Sequence, residues 1–231
     1  MSNKSPSAPV PSDSARHRPR DEAAAIPAPE PLLIVISAPS GGGKTTVCQQ
    51  LLARRKKISR AVTCTTREPR PGEKEGVDYY FLDPQTFLKR VQAGHFLEHA
   101  TVYGNSYGTL KSEVLGKLRE GQDVLLSVDV QGVATIREQA ASDEELHDAL
   151  VTVFLTPVSI AELEARLKKR GQDSASAIQK RIGVARQEIS QWKNFQYLVI
   201  STSIEEDLRR MQAIIEAEKM RQCRAEAPNF D

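Results

Sequence analysis

A chain of 231 residues with 39% hydrophobic and 27% charged side chains reads as soluble and globular, with one sizeable core and room for small inserted subdomains. A formal net charge of +2 gives no basis for non-specific binding to nucleic acid or membrane, so any cationic function must come from local Arg and Lys clusters. Three cysteines, Cys48, Cys64 and Cys223, are odd in number and lack metal-ligand spacing, which fits a reducing cytosol and a cytoplasmic protein with buried or idle thiols.

Residues 1–31 hold seven of the thirteen prolines, with Ser, Ala and scattered charge and no apolar period, and read as a disordered tail without a signal peptide or membrane span. From Leu32 the pattern alternates. The run LLIVIS (32–37) is continuously apolar, as a strand covered on both faces must be, and KTTVCQQLLARRKK (44–57) is helix-forming. Further buried strands are expected at 123–130, 150–155 and 195–201, separated by helical stretches such as 159–170 and 205–220. Such alternation predicts an α/β fold with a parallel sheet flanked by helices.

Between the first strand and helix lies APSGGGKTT, residues 38–46. A phosphate-binding loop has Gly, four residues, Gly-Lys and Ser or Thr, and Ala38 stands where the first glycine belongs. The mechanism survives that change. Gly41, Gly42 and Gly43 supply the permissive backbone, and the N–H groups of the loop and helix start converge on an anion. Lys44 is placed for the β- and γ-phosphates and the Thr45 hydroxyl for Mg²⁺; Ala38, Pro39, Ser40 and Thr46 complete the loop. The competing reading is a tight structural turn, which these flanks argue against.

Two more stretches are dense in chemistry. In 62–81, Arg67 and Arg70 sit in a segment stiffened by Pro69 and Pro71, where two preset guanidinium forks suit one phosphate, and Tyr79 adds a hydroxyl donor. Alone, the two arginines read equally as solvated charge. In 94–109, Glu98 stands among apolar and aromatic residues and suits a planar pair of donors, such as the N1–H and N2 amino edge of guanine, which adenine lacks. Composition alone favours a surface carboxylate at a helix end.

The conjunction is more specific than its parts. SAPSGGGKTT, TTREPRPGEKEGVDYYF, GHFLEHATVYGNSYGT, VDVQG and RLKKRGQDS stand in an order and spacing that resembles bacterial guanylate kinases over about residues 32–220. The resemblance implies a P-loop NTPase-type parallel sheet with inserted GMP-binding and lid subdomains: core 32–61, 114–156 and 191–223, GMP-binding part 62–113, lid 157–190, and a flexible end at 224–231. It implies ATP-dependent, Mg²⁺-assisted phosphorylation of GMP, and of dGMP. By the same resemblance Arg67, Arg70, Tyr79 and Tyr107 would hold the GMP phosphate. Thr63, Glu98, Thr109 and Asp129 would surround the guanine, and Arg166, Arg170 and Arg181 would close with the lid over the transferring group. Lys44 and Arg67 join those lid arginines as the catalytic set. An ordinary basic amphipathic helix is the alternative for the lid segment.

Three positions depart from the family pattern: Ser106 for a tyrosine, Ser201 for an asparagine near the adenine, and Ser127 for the first acid of the DID strand. The alternatives are a non-catalytic guanylate-kinase-like binding module and a P-loop kinase of another small phosphate acceptor.

Overall fold

The computed structural model describes residues 29–225 except 103, 172 and 173; the side chain of Arg170, residues 1–28 of the tail expected over 1–31 and residues 226–231 of the end expected over 224–231 lie outside the described part. Five strands make one parallel sheet. Strand β1 (Leu33–Ser37) is central, between β7 (Asp123–Ser127) and β8 (Leu150–Pro157), with β2 (Ile58–Arg60) and β9 (Tyr197–Ser201) at the edges. All of β1 and all of β8 are buried, which is why they read as unbroken apolar runs.

Alternation along the strands feeds two cores. Ile34, Ile36, Leu125 and Val153 pack on one side with Val47 and Leu51 of α1 (Lys44–Arg54) and with Met211 and Ile215 of α8 (Ile204–Lys219). Leu33, Val35, Val124 and Leu126 pack on the other with Val114 and Leu118 of α3 (Lys111–Arg119), Val133 and Ile136 of α4 (Val130–Ala140), and Leu146 of α5 (Glu144–Ala149).

Two boundaries fall elsewhere than the sequence suggests. The strand expected over 123–130 stops at Ser127, because the Asp129 side chain accepts from the Gly132 N–H at 2.8 Å and caps α4. Residues 127 and 129 therefore do not share a strand face. Arg224, placed by sequence in the flexible end, is 4% exposed; it pairs with buried Glu218 and donates to the Asp148 carbonyl at 2.7 Å. A guanidinium out of water needs such partners, and these supply them.

A second, mixed sheet runs in the order β4-β3-β6-β5, from β3 (Thr63–Thr65), β4 (Tyr79–Phe81), β5 (Phe96–Val102) and β6 (Asn105–Leu110). Its back packs Cys64, Phe96 and Phe87, the last from α2 (Pro84–Gln92). Helices α6 (Ile160–Arg170) and α7 (Ala175–Ser190) form a third unit around Leu163, Leu167, Ile178, Ile182 and Ala185. That unit rests on the glycine loop: a Cβ at Gly41 would lie 3.0 Å from both Leu163 and Leu167. No helix among the described residues is long and apolar enough to cross a membrane.

Candidate active site

The loop between β1 and α1 carries two glycines with left-handed backbone, Gly41 at φ 91° and Gly43 at φ 96°, and Gly43 is the residue that opens α1. Gly42 donates to the Pro39 carbonyl at 2.8 Å, and a Cβ on it would stand 2.9 Å from that oxygen. The three glycines are thus required by geometry, whereas Ala38 is simply buried. Lys44, the first residue of α1, donates from Nζ to the Val128 carbonyl at 2.9 Å, across from the end of β7. Burial pushes its ammonium below the usual range, against the nearby Cys48, Asp129, Glu188 and Glu98.

The mixed sheet builds the facing wall. Thr63 is opposite Tyr79 on one side and Thr109 on the other, and Thr109 is opposite Glu98, so four strands contribute one rung of four expected site residues to one face. Tyr107 is two residues along β6 on the same face, its ring 6.3 Å from that of Tyr79 in an edge contact. Glu98 is 7% exposed and accepts from the Thr109 hydroxyl at 2.7 Å. Burial raises its carboxyl above the ordinary value, and the charge of Asp129 adds to that. These residues, with Lys44, Thr45, Ser127 and Asp129, line one cavity of about 450 Å³.

At the rim, Glu73 organises the arginine loop. It takes the Arg67 guanidinium at 2.8 and 3.0 Å and the Arg70 backbone N–H at 2.7 Å, while Arg67 also lies 5.4 Å from the Tyr79 ring centroid. From the third unit, Arg181 reaches the Ser40 hydroxyl at 3.3 Å. Arg166 is held by Glu162 at 2.9 Å and by the Ser201 hydroxyl at 3.1 Å. Buried Ser201 donates in turn to Asp207 at 2.6 Å, so it tethers a helix-borne arginine to the sheet end.

A sequence profile of the guanylate kinase family matches residues 30–218. The chain belongs to the guanylate kinase family. The guanylate kinase of Paramagnetospirillum magneticum is 42% identical over 193 residues, 84% of this chain and 87% of that one. That of Coxiella burnetii is 42% identical over 188 residues, 81% of this chain and 88% of its own length. The crystal structure of guanylate kinase from Anaplasma phagocytophilum superposes with a TM-score of 0.65 at 32% identity, covering 87% of this chain and 92% of that one.

Of the residues named from sequence, Lys44, Thr45, Thr63, Tyr79, Glu98, Tyr107, Thr109 and Asp129 line one cavity; Arg67 lies beside Tyr79, Arg70 is fixed through its backbone N–H, Arg166 and Arg181 stand at the glycine loop, and the side chain of Arg170 lies outside the described atoms. Three contributors were not singled out from sequence. Glu188 of α7 is half-buried and faces Lys44, Asp129 and the Ser40 N–H; its Oε2 is buried without a hydrogen-bond partner among the described residues, and burial lifts its carboxyl above the usual range. In RQEIS it looks like one more solvated helix charge. Cys48 lies one turn after Lys44 beside Ser127, its thiol pushed up to about 11 by burial, which leaves it a protonated packing group. Glu73 was legible only as one of several charges in its loop.

Proposed function

We infer that the chain transfers the γ-phosphoryl group of ATP to GMP. The observation that carries this reading is the rung Tyr79, Thr63, Thr109 and Glu98 opening into the same cavity as Lys44 and Thr45, so that a base-reading carboxylate and a phosphate loop face each other. The loop N–H groups and Lys44 hold the donor phosphates. Arg67, Arg70, Tyr79 and Tyr107 take the acceptor phosphate and reduce the repulsion between two polyanions. Glu98 accepts from the N1–H and N2 amino group of guanine. Thr63, Thr109 and Asp129 complete the surroundings of the base. Because the nucleophile is already an ionised phosphate, the reaction requires positioning and positive charge more than proton transfer. Arg166, Arg170 and Arg181 would supply that charge from the lid and exclude water as it closes.

The oxygen donors fit a magnesium ion. Thr45, Asp129 and Ser127 all line the cavity, and among the described residues no three His, Cys, Asp or Glu side chains gather into a cage. Mg²⁺ keeps waters and leans on substrate phosphates, so Thr45, helped by Asp129 through water, would suffice to hold it. When bound, it neutralises charge on the β- and γ-phosphate oxygens. Ser127 cannot add the negative charge that an aspartate would bring. The natural chain is therefore expected to need more Mg²⁺ for half-maximal rate than Ser127→Asp, read from initial rates at fixed nucleotide. An equal or higher requirement in the variant would show that position 127 does not act through the metal.

The activity itself is tested with ATP and a panel of GMP, dGMP, AMP, UMP and ribose bisphosphate. GMP is expected to be the best acceptor, with dGMP also used, because none of the proposed contacts requires the ribose 2′-hydroxyl. A faster reaction with AMP or UMP would sink the guanine assignment. Nucleotide binding without any transfer would favour a non-catalytic module.

A further inference from the structure

We propose that Gln139 is a positioning residue for Glu98, acting through a β-bulge at Leu97, and thereby sets base specificity; this rests on the reading of Glu98 as the guanine-binding carboxylate. Along β5, Phe96 is opposite Leu110 while Glu98 is opposite Thr109, so two steps on β5 match one on β6. In a regular strand Phe96 and Glu98 would share a face. The bulge separates them. Phe96 packs behind the sheet with Cys64 and Phe87, Leu97 enters the main core beside Val133 and Ile136, and Glu98 faces the cavity opposite Thr109. The aim of the carboxylate is a consequence of where the extra residue sits.

A bulge leaves backbone groups outside the regular ladder, and β5 is an edge strand, so these groups need another partner. Gln139 provides it. Its Nε2 lies 2.8 Å from the Phe96 carbonyl and 3.1 Å from the Leu97 carbonyl, one N–H for each. Two turns earlier on α4, Gly132 lies beside the carboxylate: a Cβ there would make ordinary contact, 3.4 Å, with Glu98 Oε2. α4 thus holds the bulge through Gln139 and packs beside Glu98 through Gly132. The amide does not reach the cavity; it acts on the backbone from which Glu98 projects.

The test uses the full chain with Gln139→Met, which keeps length and helix propensity but removes both donors, and Gln139→Lys, which restores a donor. Gln139→Met should raise the KM for GMP about ten-fold, the size expected when one hydrogen bond between the displaced Glu98 carboxylate and guanine is lost, and lower the preference for GMP over IMP, which lacks the 2-amino group. kcat and the KM for ATP should change less than about three-fold, and Gln139→Lys should recover most of the GMP affinity. In a background of Glu98→Gln, Gln139→Met should add little, since it would then position a group already disabled. A lower melting temperature with kcat and both KM values scaled alike would overturn the proposal in favour of a structural role. So would full additivity with Glu98→Gln. If Glu98→Gln itself left base preference intact, the reading of Glu98 would fall and this inference with it; if Glu98→Gln lost the preference while Gln139→Met kept it, only the role of Gln139 would fail.

Discussion

Lys44→Met is expected to lower kcat by at least about 10²–10³-fold while leaving the KM for GMP within about three-fold, because in the proposed function Lys44 serves the donor phosphates rather than the acceptor. Nζ is partly buried and donates to the Val128 carbonyl, with Asp129, Glu188 and Glu98 near enough to favour its charge. A fixed ammonium in such surroundings reorganises little as charge spreads over the transferring oxygens, so its loss falls on the transition state. Stability should move the other way. The Lys44 ammonium has its pKa lowered in the fold, and a depressed base costs stability wherever it is protonated, so near neutral pH the variant should melt no lower than the natural chain. Unchanged turnover would remove the phosphate-loop assignment. A large fall in melting temperature together with lost activity would mean that the substitution damaged the fold and not the chemistry.

How much of this was legible in the sequence depended on whether the signal was local. The buried strands of the main sheet advertised themselves as apolar runs, since both faces are covered, and the loop between β1 and α1 is a local motif whose glycines are required by backbone angles. The mixed sheet was not visible. Its β3 and β4 are three residues each, its front face lines a cavity and carries polar side chains, and its pairing joins segments far apart in the chain. Thr63 and Glu98 could be named from the family pattern, but the rung that places them together exists only in the register. The bulge at Leu97 is invisible in FLEHATV, which shows no unusual residue at that point. The strand over 123–130 was overextended for a physical reason that sequence does contain: Asp129, three residues before Gly132, is a helix cap, and capping outweighed the apolar run. Glu188 escaped notice because a carboxylate in a basic helix has an ordinary local reading, and Ser201 stood out only as a departure from the family pattern; tertiary packing alone brings one to Lys44 and the other to Arg166.

Glu98→Gln should lower kcat/KM for GMP about 10²-fold, with a far smaller effect on AMP, so that discrimination falls through lost GMP activity. The carboxylate already accepts from Thr109, and its remaining lone pairs face the cavity as acceptors only. An amide turns one of those acceptors into a donor pointed at another donor on guanine. The same logic gives a pH dependence. Burial raises the Glu98 pKa, so as pH falls through that raised value the group gains a proton and loses acceptor capacity, and the KM for GMP should climb. Titration of the GMP phosphate also contributes in that range, but it is common to both proteins; the part due to Glu98 is what disappears in the Gln variant. For stability the sign is opposite. A folded-state pKa above the unfolded value means that stability is fully present below the unfolded pKa and is lost as pH rises through the folded one, so the ionised carboxylate is a cost near neutral pH. Glu98→Gln, which keeps a hydrogen-bonding partner for Thr109 without the charge, should therefore melt at the same temperature as the natural chain or higher. Equal ratios of GMP to AMP activity in the two proteins, with parallel pH profiles, would place base recognition elsewhere in the cavity.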